Sequence, residues 1–299
     1  MKAIRFAVFS DLHYDFVHDA NRRIIEFARD AKEKNVDFII GLGDLCYPID
    51  KNRNVLNTLK STGVSCYFAI GNHDSDTICR DSVVHFLGIK NNYYSFEQGN
   101  IKFIVLDSCF IKKQDGYEAY FKKNYNKSKD SYPYIPPSEL EWLKNELKST
   151  HKYYVIFSHH SLVNDFAKRG ICNREEVRKI LEQSREKVLF CMNGHDHGDK
   201  IEKKNGITYF TLNSMSYIWQ GMKENNTYSN EVLAKYPYMK NFILYEEPLH
   251  AIVTIKEDGR VEIDGMKGHY QTLRPEEIGM SDSWNGVSIK PVVSSLIIE

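Results

Sequence analysis

Val64-Ser65-Cys66-Tyr67-Phe68-Ala69-Ile70-Gly71-Asn72-His73-Asp74 is the stretch on which the fold turns. Its first seven residues form an apolar run of strand length that stops abruptly at Gly71. Ser75 and Asp76 then open a turn. A polar tetrad therefore sits where a buried strand leaves its sheet, which is where open α/β folds carry their chemistry. Asn72 offers an amide oxygen, His73 an acid or base, and Asp74 a carboxylate able to hold the imidazole's other nitrogen.

Working outward, four more strand ends repeat the design. Ile4, Phe6 and Val8 alternate toward Asp11-Leu12-His13. Val36 to Ile40 runs into Gly43-Asp44, and Tyr153 to Phe157 into Ser158-His159-His160. Val188 to Met192 ends at Gly194-His195-Asp196-His197. Any one cluster reads as turn chemistry or a satisfied histidine. Five at successive strand ends, all supplying His, Asp or Asn, point to one converged site. Carboxylate, imidazole and amide donors without thiolate suit manganese, iron or zinc. Seven donors exceed one tetrahedral ion and fit two ions about 3.5–4 Å apart sharing a carboxylate.

Between these ends lie amphipathic helices: 21–35 with Ile24, Ala28 and Ala31 on one face, 54–60, one opening at Pro137 with Leu140, Leu143 and Leu147, and 174–184. The βαβαβ alternation implies a largely parallel sheet. Residues 93–106 read as a hairpin turning at Gln98-Gly99-Asn100, and 251–264 as a closing hairpin.

The motifs, in this order, resemble the calcineurin-like metallophosphoesterases over about residues 3–213. The resemblance implies an α/β fold: a four-layer α/β/β/α sandwich of two mixed β-sheets with flanking helices. With no internal repeat and no linker in the pattern, a single domain over 1–299 is expected, with 214–299 as an irregular substrate-side stretch plus the closing hairpin. Asp11, His13, Asp44 and His197 would hold one divalent ion, with Asp44 bridging; Asn72, His159 and His195 would complete the second site. His159 matches the ligand position better than His160. His73 would be the catalytic non-ligand histidine, with Asp74 as its orienter, and a metal-bridging hydroxide would attack the phosphorus of a small nucleotide-like or other organic phosphate. The proline that often follows the strand-end histidines in the family is Ser161 or Leu162 here. Gly43-Asp44-Leu45-Cys46-Tyr47 also resembles the purple acid phosphatase pattern that sets a tyrosinate on iron. Those enzymes carry glycine at the position of His13, so His13 is expected in that seat and Tyr47 in the wall.

Composition narrows the partners. The 299 residues are 42% hydrophobic and 27% charged, an ordinary globular balance. Forty basic residues match forty acidic ones, which argues against a general nucleic-acid or anionic-membrane binder. The six scattered cysteines, with no Cys-x-x-Cys pair, read as reduced thiols. With no signal-peptide pattern before the first strand, the expectation is a cytoplasmic enzyme with a small phosphoester substrate. A nuclease and a non-catalytic scaffold are the alternatives; the full donor set opposes the scaffold. Two stretches escape the pattern. Residues 110–137, rich in Lys and Tyr, read as a polar surface insertion, with a nucleotide-gripping lid as the rival reading. For 217–247, with Tyr217, Trp219 and Tyr228, pocket wall and simple packing both remain open.

Overall fold

The computed structural model of the chain describes residues 3–164, 169–221, 224–225, 227–284 and 286–299. Its strands are, in chain order, β1 Ile4–Phe9, β2 Phe38–Gly41, β3 Ser65–Phe68, β4 Tyr94–Gln98, β5 Ile101–Val105, β6 Phe110–Lys113, β7 Gly116–Ala119, β8 Tyr153–Ser158 and β9 Val188–Asn193. They continue as β10 Lys200–Lys204, β11 Ile207–Thr211, β12 Tyr217–Trp219, β13 Phe242–Leu244, β14 Ala251–Ile255, β15 Val261–Asp264, β16 Ser283–Trp284, β17 Val287–Ser288 and β18 Leu296–Ile298. The helices are α1 Ala20–Glu33, α2 Arg53–Lys60, α3 Arg80–Leu87, α4 Pro137–Glu146, α5 Arg174–Glu182 and the short α6 Asn230–Lys235.

Two six-stranded sheets form, in the orders β18-β15-β14-β1-β2-β3 and β10-β11-β9-β8-β5-β4. The parallel pairing expected from the alternation holds for β1–β2–β3 and for β5–β8–β9–β11. Antiparallel strands flank both: β14, β15 and β18 on one sheet, β4 and β10 on the other. The sheets pack face to face through aromatics. Phe103 of one sheet meets Phe6 and Phe38 of the other edge-on, at 5.7 and 5.0 Å. These rings are fully buried, each contributing about 1.5–3 kcal/mol. The outer face of the first sheet packs on α1, α2 and α3, and that of the second on α4 and α5. That is the four-layer sandwich.

The chain continues past the β14–β15 hairpin, and β18 returns to pair with β15. Residues 110–137 depart from the expected polar insertion. They carry the β6–β7 hairpin, and their Ile111, Tyr120 and Tyr125 form a small core with the preceding Cys109, all buried. In the 217–247 stretch β12 pairs with β13, while residues 222, 223 and 226 lie outside the described ones. Among the described residues no helix is long and apolar enough to cross a membrane, and all six cysteines are free.

Candidate metal centre

Each of the five loops leaves the carboxyl end of a parallel strand, and the backbone pays for aiming them. Among the described residues nine non-glycine positions have positive φ, and five of them are Asp11, His13, Asp44, His195 and His197. Such backbone costs on the order of 1–3 kcal/mol each and persists where surrounding structure enforces it. Glycine supplies the remaining clearance. A Cβ on Gly71 would strike the Asp44 carboxylate, and one on Gly194 would strike Ser10 Oγ and the Asp11 carboxylate.

The two carboxylates divide their oxygens in the same way. Asp11 Oδ2 accepts from Ser10 Oγ at 2.5 Å and from the His195 N–H at 2.9 Å. Its Oδ1 is buried with no hydrogen-bond partner, 3.3 Å from His197 Nε2 and 3.6 Å from His13 Nε2. Asp44 Oδ1 accepts from the His73 N–H at 2.8 Å. Its Oδ2 faces His159 Nε2 at 3.3 Å and His13 Nε2 at 3.6 Å.

The imidazoles are held from behind. His159 Nδ1–H donates to the Leu42 carbonyl and His197 Nδ1–H to that of Tyr217, both at 2.8 Å, so each Nε2 turns inward. His13 Nε2 and His197 Nε2 then lie 3.1 Å apart, as do His195 Nδ1 and His159 Nε2. Asn72 Oδ1 is 3.1 Å from His159 Nε2. All seven donors expected from sequence converge. Asp11, His13 and His197 form one group close enough to share an ion, and Asp11, Asp44 and His159 another. An orphaned buried carboxylate oxygen among facing imidazole nitrogens fits divalent cations. His160 also comes close to His159 and His195, with its Nδ1 at 2.8 Å from Ser108 Oγ.

The protonation states follow from burial and charge. Burial raises the Asp44 carboxyl, but the fields of His159 and His73 outweigh it and hold it well below the usual range. Burial pulls His13 down to about 4 despite Asp11 and Asp44. Against burial, Asp44 lifts His159 to about 9. Burial, then Arg169, pushes His195 well below the ordinary imidazole value. His73 goes the other way. Burial would lower it, yet Asp44 and Asp76 raise it above 6.5.

His73 stands at the rim, its side chain 33% exposed. Asp74 does not orient it, which corrects the expectation from sequence. The Asp74 carboxylate accepts from the backbone N–H groups of Asp44, Leu45 and Gly71 at 3.0, 2.9 and 2.8 Å. It thus staples the Asp44 turn to the Gly71 turn. Burial, then the charge of Asp44, pushes its carboxyl up to about 7. Asp76 is the partner of His73, with Oδ2 2.7 Å from Nδ1. The cause is local: residues 73–75 form a 3₁₀ turn, which sets residue i+3 beside residue i. The i, i+3 spacing points to Asp76 only once the turn is known to be 3₁₀.

The centre opens into a cavity of about 1070 Å³. Its lining includes the aromatic Tyr217, Trp219, Tyr238 and Phe242, and the insertion adds Lys129 and Lys123, whose Nζ lies 5.7 Å from the centre of the Tyr238 ring. Phe16 lines this cavity, and Tyr47 packs edge-on against it at 5.6 Å without lining the cavity itself. The C-terminal half also fastens the first loop. The Met215 N–H donates to the Ser10 carbonyl, and Ser214 Oγ to that of Asp11.

Comparison with known proteins finds relatives of both the sequence and the fold. A probable cyclic nucleotide phosphodiesterase of Psychrobacter arcticus is 22% identical over 230 residues, covering 70% of this chain and 74% of that protein. Among solved structures, a dimetal phosphatase from Danio rerio superposes with a TM-score of 0.62 at 16% identity, over 90% of this chain and 98% of that one. GAP50, the anchor in the inner membrane complex of Plasmodium, gives 0.58 at 14% identity, over 92% and 90%. At such identities the two structures speak for the fold alone. The calcineurin-like phosphoesterase family model matches residues 4–199, and the chain belongs to that family.

Proposed function

We propose that this chain is a two-metal phosphodiesterase acting on small nucleotide-like phosphodiesters. The observation that carries the reading is the Asp44 carboxylate. One oxygen is committed to the His73 N–H, and the other faces both His13 and His159. That is the arrangement a carboxylate shared by two ions needs. Asp11, His13 and His197 would complete one site, and Asn72, His159 and His195 the other.

Divalent ions bound there would lower the pKa of water toward neutrality and offset charge on the phosphoryl oxygens. The chain's own groups do the rest. With two divalent ions bound, Asp11 and Asp44 would offset only half of their charge, so the centre would be net positive and an electrically neutral protein would still attract phosphate. His73, raised in pKa and open to the cavity, hydrogen-bonds a phosphoryl oxygen or protonates the leaving oxygen. The aromatic wall offers stacking faces for a base, and the lysines of the insertion offer charge for a second phosphate or the ribose side. The similarity to a probable cyclic nucleotide phosphodiesterase supports a nucleotide-like diester. The complete donor set speaks against a scaffold that has lost its chemistry.

The test is hydrolysis of bis- and mono-nitrophenyl phosphate and of cyclic nucleotides after reconstitution with manganese, iron and zinc. Preference for the diester is expected. Activity on the monoester alone would overturn the diester assignment.

A further inference from the structure

We propose that Tyr125, on the inserted segment, is a positioning residue that fixes the Asn72 amide and the Asp76 carboxylate, making the insertion part of the metal centre's frame. The inference rests on the two-metal reading above. Asp76 is buried, and its Oδ1 accepts from the Tyr125 hydroxyl at 2.9 Å. Only the phenol's lone pairs then remain for Asn72, whose Nδ2 lies 3.2 Å away. Asn72 must therefore turn its NH₂ toward Tyr125 and its oxygen toward His159, 3.1 Å away, and the donor cluster. A polar chain runs in one direction, from Asn72 through Tyr125 to Asp76, and Asp76 also holds His73.

Other contacts seat the insertion on the same spot. The Lys122 N–H donates to the Ser75 carbonyl at 3.0 Å, and Lys123 Nζ lies 3.4 Å from Asp76 Oδ2. Both lysines hold left-handed backbone, with φ of 49° and 59°. Two strained non-glycine residues in succession persist only where contacts enforce them. Tyr125 stacks on Tyr120 at 4.5 Å and is 7% exposed, so its ring is anchored in the insertion's own core.

The experiment is calorimetric titration of metal-free protein with Mn²⁺ alone, comparing the parent with Tyr125→Phe, which keeps the ring and loses the hydroxyl. The variant is expected to bind the first ion as the parent does and the second about 10–100-fold more weakly, with kcat falling and KM nearly unchanged. Second-ion affinity within twofold of the parent overturns the proposal. A parent that binds two ions yet hydrolyses no phosphodiester overturns the functional reading alone. Should Tyr125→Phe lose its melting transition, exchange of the Asn72 side-chain amide protons in the unaltered protein decides. Slow exchange is expected, and exchange at the rate of a free amide overturns the proposal.

Discussion

His73 Nδ1 lies 2.7 Å from Asp76 Oδ2, with the carboxylate fully buried and the imidazole open to the cavity. The pair holds the ring so that its other nitrogen addresses whatever occupies the cavity. His73→Gln is expected to keep near-normal metal content and lose about 10²–10⁴-fold in kcat. Asp76→Asn should lose less, about 10–100-fold, because the ring remains but its orientation loosens. Metal analysis beside steady-state kinetics checks both. A His73→Gln protein without bound metal would remove His73 from the role given to it.

Asp74 and Asp76 are two residues apart and should fail differently. Asp74→Ala removes the acceptor for three backbone N–H groups at once, costing about 3 kcal/mol or more. It also frees the turn that presents Asp44. Loss of stability and of both ions is expected, measured by thermal melting and metal content. Gly71→Ala should mimic the metal loss, since its Cβ would displace the Asp44 carboxylate.

A third expectation concerns the frame. Arg23 is fully buried, pairs with Asp19 at 2.8 Å, and donates to the carbonyls of Met215, Glu247 and Tyr245. Met215 in turn holds the loop of Asp11, so α1 braces the centre. Asp19→Asn should cost about 3 kcal/mol by leaving a buried guanidinium unpaired. Burial alone would raise the Asp19 carboxyl, but Arg23 and Arg22 hold it below its usual 3.8. A depressed native pKa means the unfolded chain takes up the proton first. The stability from Asp19 is therefore full above about pH 3.8 and disappears as pH falls through the lower native value. Melting curves of parent and variant should converge below pH 4; a gap that widened there would contradict the pairing.

Much of the candidate centre was legible in the sequence because each expected donor sits within a few residues of a strand end, and strands announce themselves by short-range pattern. All seven expected donors meet. Asp76 was not legible, because an isolated strand-end turn does not reveal that it will be 3₁₀, and the adjacent Asp74 looked like the nearer partner. The insertion hid for another reason. Its core rests on Cys109, Ile111, Tyr120 and Tyr125, too widely spaced among lysines to show a period of 2 or 3.6. Tyr125 meets Asn72 across 53 residues of chain, a contact that no local pattern encodes.

A pair of ions shared through Asp44 is tested by turnover of bis-nitrophenyl phosphate as Mn²⁺ is added stepwise to metal-free protein. Activity should rise to a plateau at two equivalents per chain, and Asp44→Asn should bind neither ion firmly and remain inactive. Full activity at one equivalent, or an active Asp44→Asn protein, would contradict it.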